Sequence, residues 1–231
     1  MKTPFVSAVI LAAGESTRFG SGKQFLRIFG KTVIERSIAV FEAAPSYREI
    51  VVVCREEDID AVKKIAANMR TKKLTKIVAG GSSRSRSALN GAAAVNKKCE
   101  YIAIHDGARA LLTVPAAERV AADAINYGAA ILSVPVSDTI KVSSDGFVKT
   151  TPEREKLYAA QTPQVFRFNE YCFALKEALS GAVEPTDDSQ VFERLKKKVF
   201  LSEGDRDNIK ITYPEDVELA RNILRRRGET I

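Results

Sequence analysis

The sequence predicts an α/β fold: a three-layer, doubly wound and mostly parallel sheet. Apolar strand-like runs alternate with stretches of helical spacing over residues 6–134, which is the order that parallel strands with crossover helices need. Runs such as IVVVC and YIAIH are almost continuously apolar, as expected for strands covered by helices on both faces. A chain of 231 residues can bury a substantial core, so we expect a single domain over 1–231 with one appendage.

The predicted elements follow one another in the order that this fold requires. The predicted strands are Val6–Ala13, Glu49–Cys54, Lys76–Ala79, Tyr101–His105 and Ala129–Val134. The predicted helices are Val33–Ala43, Asp58–Met69, Arg86–Val95 and Ala116–Tyr127. Ligands of such sheets collect at the carboxyl ends of the strands. We therefore expect one rim to hold the loops at 14–23, 80–87 and 106–109 and the segment after Val134.

The segment at 138–151 interrupts the alternation. Two β-prone runs, 139–142 and 147–149, flank an Asp-Gly pair, which is a strong signal for a hairpin. A two-stranded ribbon is marginally stable by itself, so it packs either on its own domain or on a second subunit, and the second subunit is the simpler expectation. We therefore predict a protruding β-hairpin arm at about 137–155 for dimerisation.

The final third of the chain returns to regular elements. Helices are predicted near 169–179 and 189–197, with a strand at 199–201. A terminal helix is predicted from Pro214, because proline followed by two acidic residues is a typical helix start.

The charge of the chain does not by itself indicate a nucleic-acid partner. The formal net charge is +7, but the basic residues are dispersed. The tightest clusters, 196–198 and 225–227, lie near the ends of predicted helices, where cations complement the helix dipole. No basic segment interleaved with aromatic side chains stands out, as RNA binding would favour. A small anionic substrate accounts for the excess of positive charge.

Other sequence features indicate the cellular compartment in which we expect the protein. No apolar run approaches the roughly 18 residues of a membrane span, and the pattern of a signal peptide is missing from the N-terminus. The three cysteines, Cys54, Cys99 and Cys172, are widely spaced and odd in number. They indicate reduced interior thiols of a cytoplasmic protein rather than disulfides or a zinc site.

The segment SAVILAAGESTRFGSGKQF at 7–25 carries the strongest chemical signal. A buried strand that leads into a glycine-rich loop with Arg18 and Lys23 is suited to binding phosphates. The loop matches neither of two familiar phosphate-binding motifs. Gln24 follows Gly22-Lys23 where a P-loop needs Ser or Thr, and Phe25 stands where the dinucleotide fingerprint needs its third glycine. The loop binds phosphate in another way, or it is only a connection.

A second candidate stands at the end of the strand YIAIH. Asp106 follows this strand and can hold Mg²⁺ against phosphate oxygens, while Arg109 can reach a nearby anion. Asp106 could equally be a capping or turn aspartate. His105 is the only histidine, so a site built from several histidines within one chain is excluded, and we expect His105 to be a packing residue.

Six motifs in a fixed order resemble those of a known family. They are LAAG-x-x-x-R-F-G with Lys-Gln following, GG-x-x-R-x-x-S, HD-x-AR, DTIK, TPQ-x-F and DNIK. Together they resemble the 2-C-methyl-D-erythritol 4-phosphate cytidylyltransferase family from about Val6 to the C-terminal helix. The resemblance implies a nucleotide-diphospho-sugar transferase-like fold, a homodimer, and Mg²⁺ or another divalent cation. It also implies that the phosphate of a sugar alcohol attacks the α-phosphorus of CTP and releases pyrophosphate.

The resemblance further implies roles for individual residues. Arg18 and Lys23 match the pair that stabilises negative charge in the transition state. Arg154 and Lys210 match the residues that position the attacking phosphate. The implied nucleotide contacts are Ala12, Ala13, Gly14, Gly81, Ser87 and Asp106, of which Asp106 is also the implied magnesium ligand. The implied sugar-phosphate contacts are Arg109, Thr139, Thr162 and Thr186. In this family the hairpin flanked by Thr139 and Arg154 reaches across the dimer into the neighbouring site.

Two alternatives stay open at the level of the sequence. A ribitol-5-phosphate cytidylyltransferase shares the nucleotide half of the motif set, and only the acceptor-binding residues separate it from the first family. A non-catalytic nucleotide-binding module could use the same scaffold, although the joint presence of Arg18, Lys23, Asp106 and Lys210 argues against it.

Overall fold

A computed structural model describes residues 4–14, 19, 22–181 and 184–229. Within these ranges the strands, in chain order, are β1 (Val6–Ala12), β2 (Arg27–Ile28), β3 (Lys31–Thr32), β4 (Tyr47–Cys54), β5 (Leu74–Ala79), β6 (Tyr101–Asp106), β7 (Ala129–Pro135), β8 (Val142–Ser144), β9 (Phe147–Thr150), β10 (Tyr158–Arg167) and β11 (Phe200–Glu203). The α-helices are α1 (Val33–Ala43), α2 (Ile59–Met69), α3 (Arg84–Ala94), α4 (Val114–Tyr127), α5 (Phe168–Ser180), α6 (Ser189–Arg194) and α7 (Glu215–Arg226).

The main sheet has seven strands in the order β11-β7-β10-β6-β1-β4-β5. Strand β1 pairs in parallel with both β4 and β6, β4 pairs in parallel with β5, and β7 pairs in parallel with β11. Only β10 runs antiparallel to its neighbours β6 and β7 within this sheet. This arrangement confirms the predicted mostly parallel, doubly wound fold.

The core lies on both faces of this sheet. Successive residues of β4 alternate between two apolar clusters: Ile50 and Val52 belong to one, Val51 and Val53 to the other. The first cluster includes buried residues of α1, α2 and α4, and the second includes buried residues of α3, α5 and α6. The continuously apolar strand is therefore explained by helices on both sides, which gives the three predicted layers.

Local signals fix the helices close to their predicted bounds. Helix α1 has the predicted limits, and it begins with a capping box in which Thr32 and Glu35 each accept a backbone N–H. Helix α3 begins two residues earlier than predicted, because the Ser83 hydroxyl accepts the Arg86 N–H and caps the helix. None of the helices among the described residues is both long and apolar enough to cross a bilayer.

The hairpin prediction agrees with the structure in its turn and differs in one strand. The first strand begins at Val142 instead of residue 139, and the second covers Phe147–Thr150. Asp145 and Gly146 both have positive φ, at 52° and 84°, as a tight hairpin turn requires. Both strands are exposed along their whole length.

The sequence analysis missed β10, although this strand lies near the middle of the sheet. Pro163 interrupts the run, and the register with β7 shifts between Ala160 and Gln164. The buried positions near this break include polar Gln161 and Thr162. A strand with an internal proline and buried polar residues lacks the apolar pattern on which the other strands were predicted.

Candidate functional site

A cleft of about 540 Å³ opens at the carboxyl ends of the parallel strands. Its lining comes from β1 and the loop after it, the 3₁₀ turn at Lys23–Phe25, the starts of α1 and α3, the end of β6 and the segment before α7. These are residues 11–14, 23–24, 81–84 and 106–108 together with Val33, Ser87, Lys210 and Thr212. The topology thus brings together residues of the three predicted loops at 14–23, 80–87 and 106–109. The segment after Val134, which was also predicted to lie at this rim, is not part of the cleft lining.

Two loops approach each other closely at one side of this cleft. A Cβ on Gly80 would lie 2.4 Å from the Ala13 Cβ and 2.9 Å from the Ser87 Oγ, so glycine is needed for the loops to pack. The Gly81 N–H donates to the Ser87 Oγ at 3.0 Å. Of the predicted nucleotide contacts, Ala12, Ala13, Gly14, Gly81 and Ser87 all line the cleft.

Lys23 lines the cleft from the 3₁₀ turn that follows the glycine-rich loop. Its Nζ donates to the Ile211 carbonyl oxygen at 3.1 Å, which places the ammonium beside the segment that carries Lys210. The next residue, Gln24, is buried and donates from its Nε2 to the Asp58 Oδ2 at 2.9 Å. This buried hydrogen bond holds the turn, and with it the direction of Lys23. Arg18 lies outside the described residues.

Asp106 lies at the last position of β6 between two cations. Its Oδ1 is 3.1 Å from Arg84 Nη2, and its Oδ2 is 2.7 Å from Lys210 Nζ. Burial alone would raise the pKa of Asp106, but the Arg84 guanidinium and the Lys210 ammonium outweigh burial and hold this pKa well below its usual range. The carboxylate is therefore ionised where it lies between these two cations.

Thr162 and His105 lie beneath this carboxylate rather than in the cleft lining. The Thr162 Oγ1 accepts the Asp106 backbone N–H at 3.0 Å and lies 3.1 Å from the His105 Nδ1. His105 is fully buried and packs edge-on against Phe41. Burial lowers the pKa of His105 to about 3, so the ring is neutral at ordinary pH and has the expected packing role.

Four other predicted residues do not line the cleft. The Arg109 guanidinium donates to the carbonyl oxygens of Asn208, at 2.7 Å, and Ala160, at 3.3 Å. Burial lowers the pKa of Arg109, while the nearby Asp106 carboxylate opposes this shift. The other three, Thr139, Arg154 and Thr186, are exposed to solvent.

The structure also gives contacts to a residue that the sequence analysis included only as the arginine of the motif GG-x-x-R-x-x-S, without assigning it a role. Arg84 contacts Asp106 and, through its Nη1, reaches the Asp188 Oδ2 at 2.6 Å. Burial would lower the pKa of Arg84, but the two carboxylates outweigh it and raise this pKa. A signal was available, because an arginine in the first turn of a helix opposes the helix dipole unless an anion compensates it.

Comparison with known proteins agrees with this geometry. The family model for 2-C-methyl-D-erythritol 4-phosphate cytidylyltransferase matches residues 6–226. A protein of that description from Caldanaerobacter subterraneus subsp. tengcongensis is 44% identical over 225 residues, which cover 96% of this chain and 99% of the relative. The corresponding protein of Clostridioides difficile is 40% identical over 224 residues, or 94% of this chain and 93% of the relative.

Solved structures give the same result. The crystal structure of 4-diphosphocytidyl-2C-methyl-D-erythritol synthase from Anaerococcus prevotii superposes with a TM-score of 0.88 at 29% identity, covering 96% of this chain and 97% of that one. The 2-C-methyl-D-erythritol 4-phosphate cytidylyltransferase of Thermus thermophilus gives a TM-score of 0.77 at 28% identity, covering 95% and 98% of the two chains. On the family match and these near full-length relatives, the chain belongs to the 2-C-methyl-D-erythritol 4-phosphate cytidylyltransferase family.

Proposed function

We propose that this protein transfers CMP from CTP to 2-C-methyl-D-erythritol 4-phosphate and releases pyrophosphate. One observation carries the proposal besides family membership: Lys23, Asp106 and Lys210, which are far apart in the chain, line the same cleft as the glycine loop. In the reaction an oxygen of the acceptor phosphate bonds to the α-phosphorus of CTP. The bond from that phosphorus to the oxygen bridging to the β-phosphorus breaks, and pyrophosphate leaves with the electron pair.

The residues present suit this chemistry because it needs positioning and charge stabilisation rather than a protein nucleophile. Two polyanions must approach each other, and the cleft offers the ammonium groups of Lys23 and Lys210. We assign Lys23, with Arg18 on the basis of its motif, to stabilise charge at the α-phosphorus. The neutral, buried His105 takes no part in proton transfer.

A divalent cation, Mg²⁺ or another, is part of the proposal, and Asp106 is its proposed ligand. Among the described residues no group of three or more His, Cys, Asp or Glu could hold a metal by itself. Mg²⁺ in phosphate-transfer sites is usually bound by one or two carboxylates plus substrate phosphates and water, so the single ionised Asp106 fits this mode. When bound, the cation neutralises charge on the triphosphate.

The base of the nucleotide is proposed to be read by the loop around Gly81, which the Ser87 hydroxyl holds in place. If buried polar groups pair with the cytosine edge, UTP leaves them unpaired. We then expect kcat/KM for UTP to be lower than for CTP by a factor on the order of 10⁴, measured by pyrophosphate release. Ser87→Ala should reduce this discrimination. Comparable kcat/KM values for both nucleotides in the wild-type protein would contradict base reading of this kind.

The acceptor is proposed to bind on the Lys210 side of the cleft. Among the described residues predicted to contact the acceptor, Lys210 is the one that lines the cleft. Thr162, Arg109 and Thr186 complete the proposed acceptor contacts from the surrounding segments. Thr139 and Arg154 lie in the exposed arm, so they are proposed to act across a dimer, in the neighbouring subunit's site.

The arm supports the proposal of a homodimer. Phe147 and Val148 at its tip are 79% and 65% exposed, which is unusual for adjacent apolar residues on a two-stranded ribbon that is marginal alone. We expect Phe147→Asp combined with Val148→Asp to yield monomers by light scattering and to raise the KM for the acceptor. Phe173→Asp, at an apolar residue of α5 that is 59% exposed, is the matched control and should stay dimeric. A wild-type monomer, or a dimer unaffected by the arm substitutions, would contradict this assignment.

A cytoplasmic location is also proposed. The thiols of Cys54, Cys99 and Cys172 form no disulfide; the first two are buried and Cys172 is half-buried. Burial raises the pKa of each of them, so they are inert thiols suited to a reducing compartment. Nucleic acid and membrane are not among the proposed partners; the proposed partners are CTP, the sugar-alcohol phosphate and a second copy of the chain.

The experiment that tests the proposed function measures pyrophosphate release from CTP by the purified protein with Mg²⁺ and one acceptor at a time. We expect release with 2-C-methyl-D-erythritol 4-phosphate, and none without an acceptor. A clear preference for ribitol 5-phosphate would assign the protein to the alternative reaction. Failure to release pyrophosphate with any acceptor would leave only a nucleotide-binding module.

A further inference from the structure

Arg84 connects two carboxylates that come from distant parts of the chain. It is the first residue of α3 and lies at the cleft. Its Nε and Nη2 reach the Asp106 Oδ1 at 3.2 and 3.1 Å, and its Nη1 reaches the Asp188 Oδ2 at 2.6 Å. The planar guanidinium can bridge two carboxylates in this way, whereas the single ammonium of a lysine cannot reproduce the fork.

The two carboxylates have different surroundings. Asp188 is 2% exposed, and its Oδ1 accepts the Tyr171 hydroxyl at 2.6 Å. It does not line the cleft, while Asp106 does. Since a buried charge is stable only when it is paired and hydrogen-bonded, Asp188 acts as a fixed anchor for Arg84 and not as a ligand of its own.

The two oxygens of Asp106 are also held differently. Lys210, which contacts Oδ2, is 41% exposed, and Asp106 is its one ion-pair partner among the described residues. Arg84, which contacts Oδ1, is held at a second carboxylate as well. Arg84 therefore fixes the direction of the Asp106 carboxylate independently of Lys210. Oδ2 is the oxygen that a ligand could reach by displacing the half-exposed Lys210.

We propose that Arg84, anchored by Asp188, is a positioning residue that orients the Asp106 carboxylate toward the cation of the metal–nucleotide complex. The proposal rests on the proposed function, because it assumes that the cleft binds CTP with a divalent cation. It adds Arg84 and Asp188, to which the proposed function assigns no contact with the nucleotide or the acceptor. Outer partners that orient a metal ligand typically change metal affinity or activity by about 10–100-fold when they are removed.

Three variants distinguish a positioning role of Arg84 from an effect of its positive charge alone. Arg84→Gln removes the charge and the bridge, Arg84→Lys keeps the charge and loses the bridge, and Asp188→Asn leaves Arg84 in place without its anchor. Arg86→Gln, at an exposed arginine in the same turn of α3, is the matched control. Binding of Mn²⁺ in the presence of CTP is measured by electron paramagnetic resonance without acceptor, and thermal unfolding shows whether each variant is folded.

We expect all three variants to weaken Mn²⁺ binding in the presence of CTP by about 10–100-fold, with Arg84→Lys no better than Asp188→Asn. The KM for the acceptor should stay close to the wild-type value, and Arg86→Gln should change neither quantity. If Asp188→Asn binds Mn²⁺ and CTP like the wild type while Arg84→Gln does not, Arg84 acts by itself as a nucleotide ligand and the positioning role is wrong. Full rescue by Arg84→Lys would also overturn it.

Binding of Mn²⁺ in the presence of CTP tests the role of Arg84 separately from CMP transfer, the proposed function. Wild-type protein that binds Mn²⁺ with CTP but transfers no CMP contradicts the proposed function, while the comparison of the variants still tests the role of Arg84. Wild-type protein that does not bind Mn²⁺ with CTP overturns both. If Arg84→Gln does not fold, Arg84→Lys and Asp188→Asn decide the outcome.

Discussion

Lys23→Ala is expected to lower kcat by about 10²–10³, which is the typical effect of removing one preorganised group that stabilises a developing charge. The Lys23 ammonium lines the cleft and is held beside residues 210–212 by the Ile211 carbonyl. Because its backbone turn is fixed separately by the buried Gln24–Asp58 hydrogen bond, the fold should survive. The measurement is steady-state pyrophosphate release with saturating CTP and acceptor.

Lys97→Ala is the matched control for this variant, since it removes an exposed lysine just before β6, at the opposite end of that strand from the cleft. Its kcat should equal the wild-type value. Arg18→Ala is expected to lower kcat by the same factor as Lys23→Ala, because Arg18 stands at the matching position of the family motif. Turnover close to wild type in Lys23→Ala would remove Lys23 from the mechanism.

Asp106→Ala is expected to lower kcat/KM by at least about 10²-fold, because it removes the ionised carboxylate proposed to hold the divalent cation. Alanine is preferable to asparagine, since an asparagine before Gly107 deamidates readily and would restore the carboxylate. The fold should persist, as Arg84 keeps its ion pair with Asp188 and Lys210 is partly exposed. The loss is measured by pyrophosphate release over a range of Mg²⁺ concentrations.

Asp207→Ala provides the control for this second prediction. Asp207 also pairs with an arginine, Arg226, but it lies in an ion pair at the surface outside the cleft lining, so its removal should leave kcat/KM unchanged. Asp106→Ala with wild-type kcat/KM at every Mg²⁺ concentration would show that Asp106 does not hold the cation.

Much of the fold could be predicted because it depends on local and periodic signals. Strands such as β4 are apolar on both faces, and helices such as α1 carry their own capping residues, Thr32 and Glu35. Strand β10 could not be found in the same way. Its position between β6 and β7 depends on long-range pairing, while its own sequence contains Pro163 and buried polar residues that break the apolar pattern.

The loops of the candidate site could be predicted from the sequence, but the contacts between distant side chains could not. The strand-end rule and the motifs indicated the loops that carry Gly14, Gly81 and Asp106, and these loops share the cleft. The anchoring of Arg84 by Asp188 joins residues 104 positions apart in the chain, and no spacing in a single sequence encodes such a pair. The side-chain contacts of the exposed arm depend on what covers it, so they remain part of the proposal.

The most direct test of the central claim is a crystal structure of the protein with CTP and Mg²⁺. We expect the triphosphate to lie in the cleft between Lys23 and the start of α3, with the cation on the Asp106 Oδ2 and Lys210 moved away from that oxygen. Nucleotide bound elsewhere on the surface, or bound in the cleft with its phosphates pointing away from Lys23 and Asp106, would contradict it.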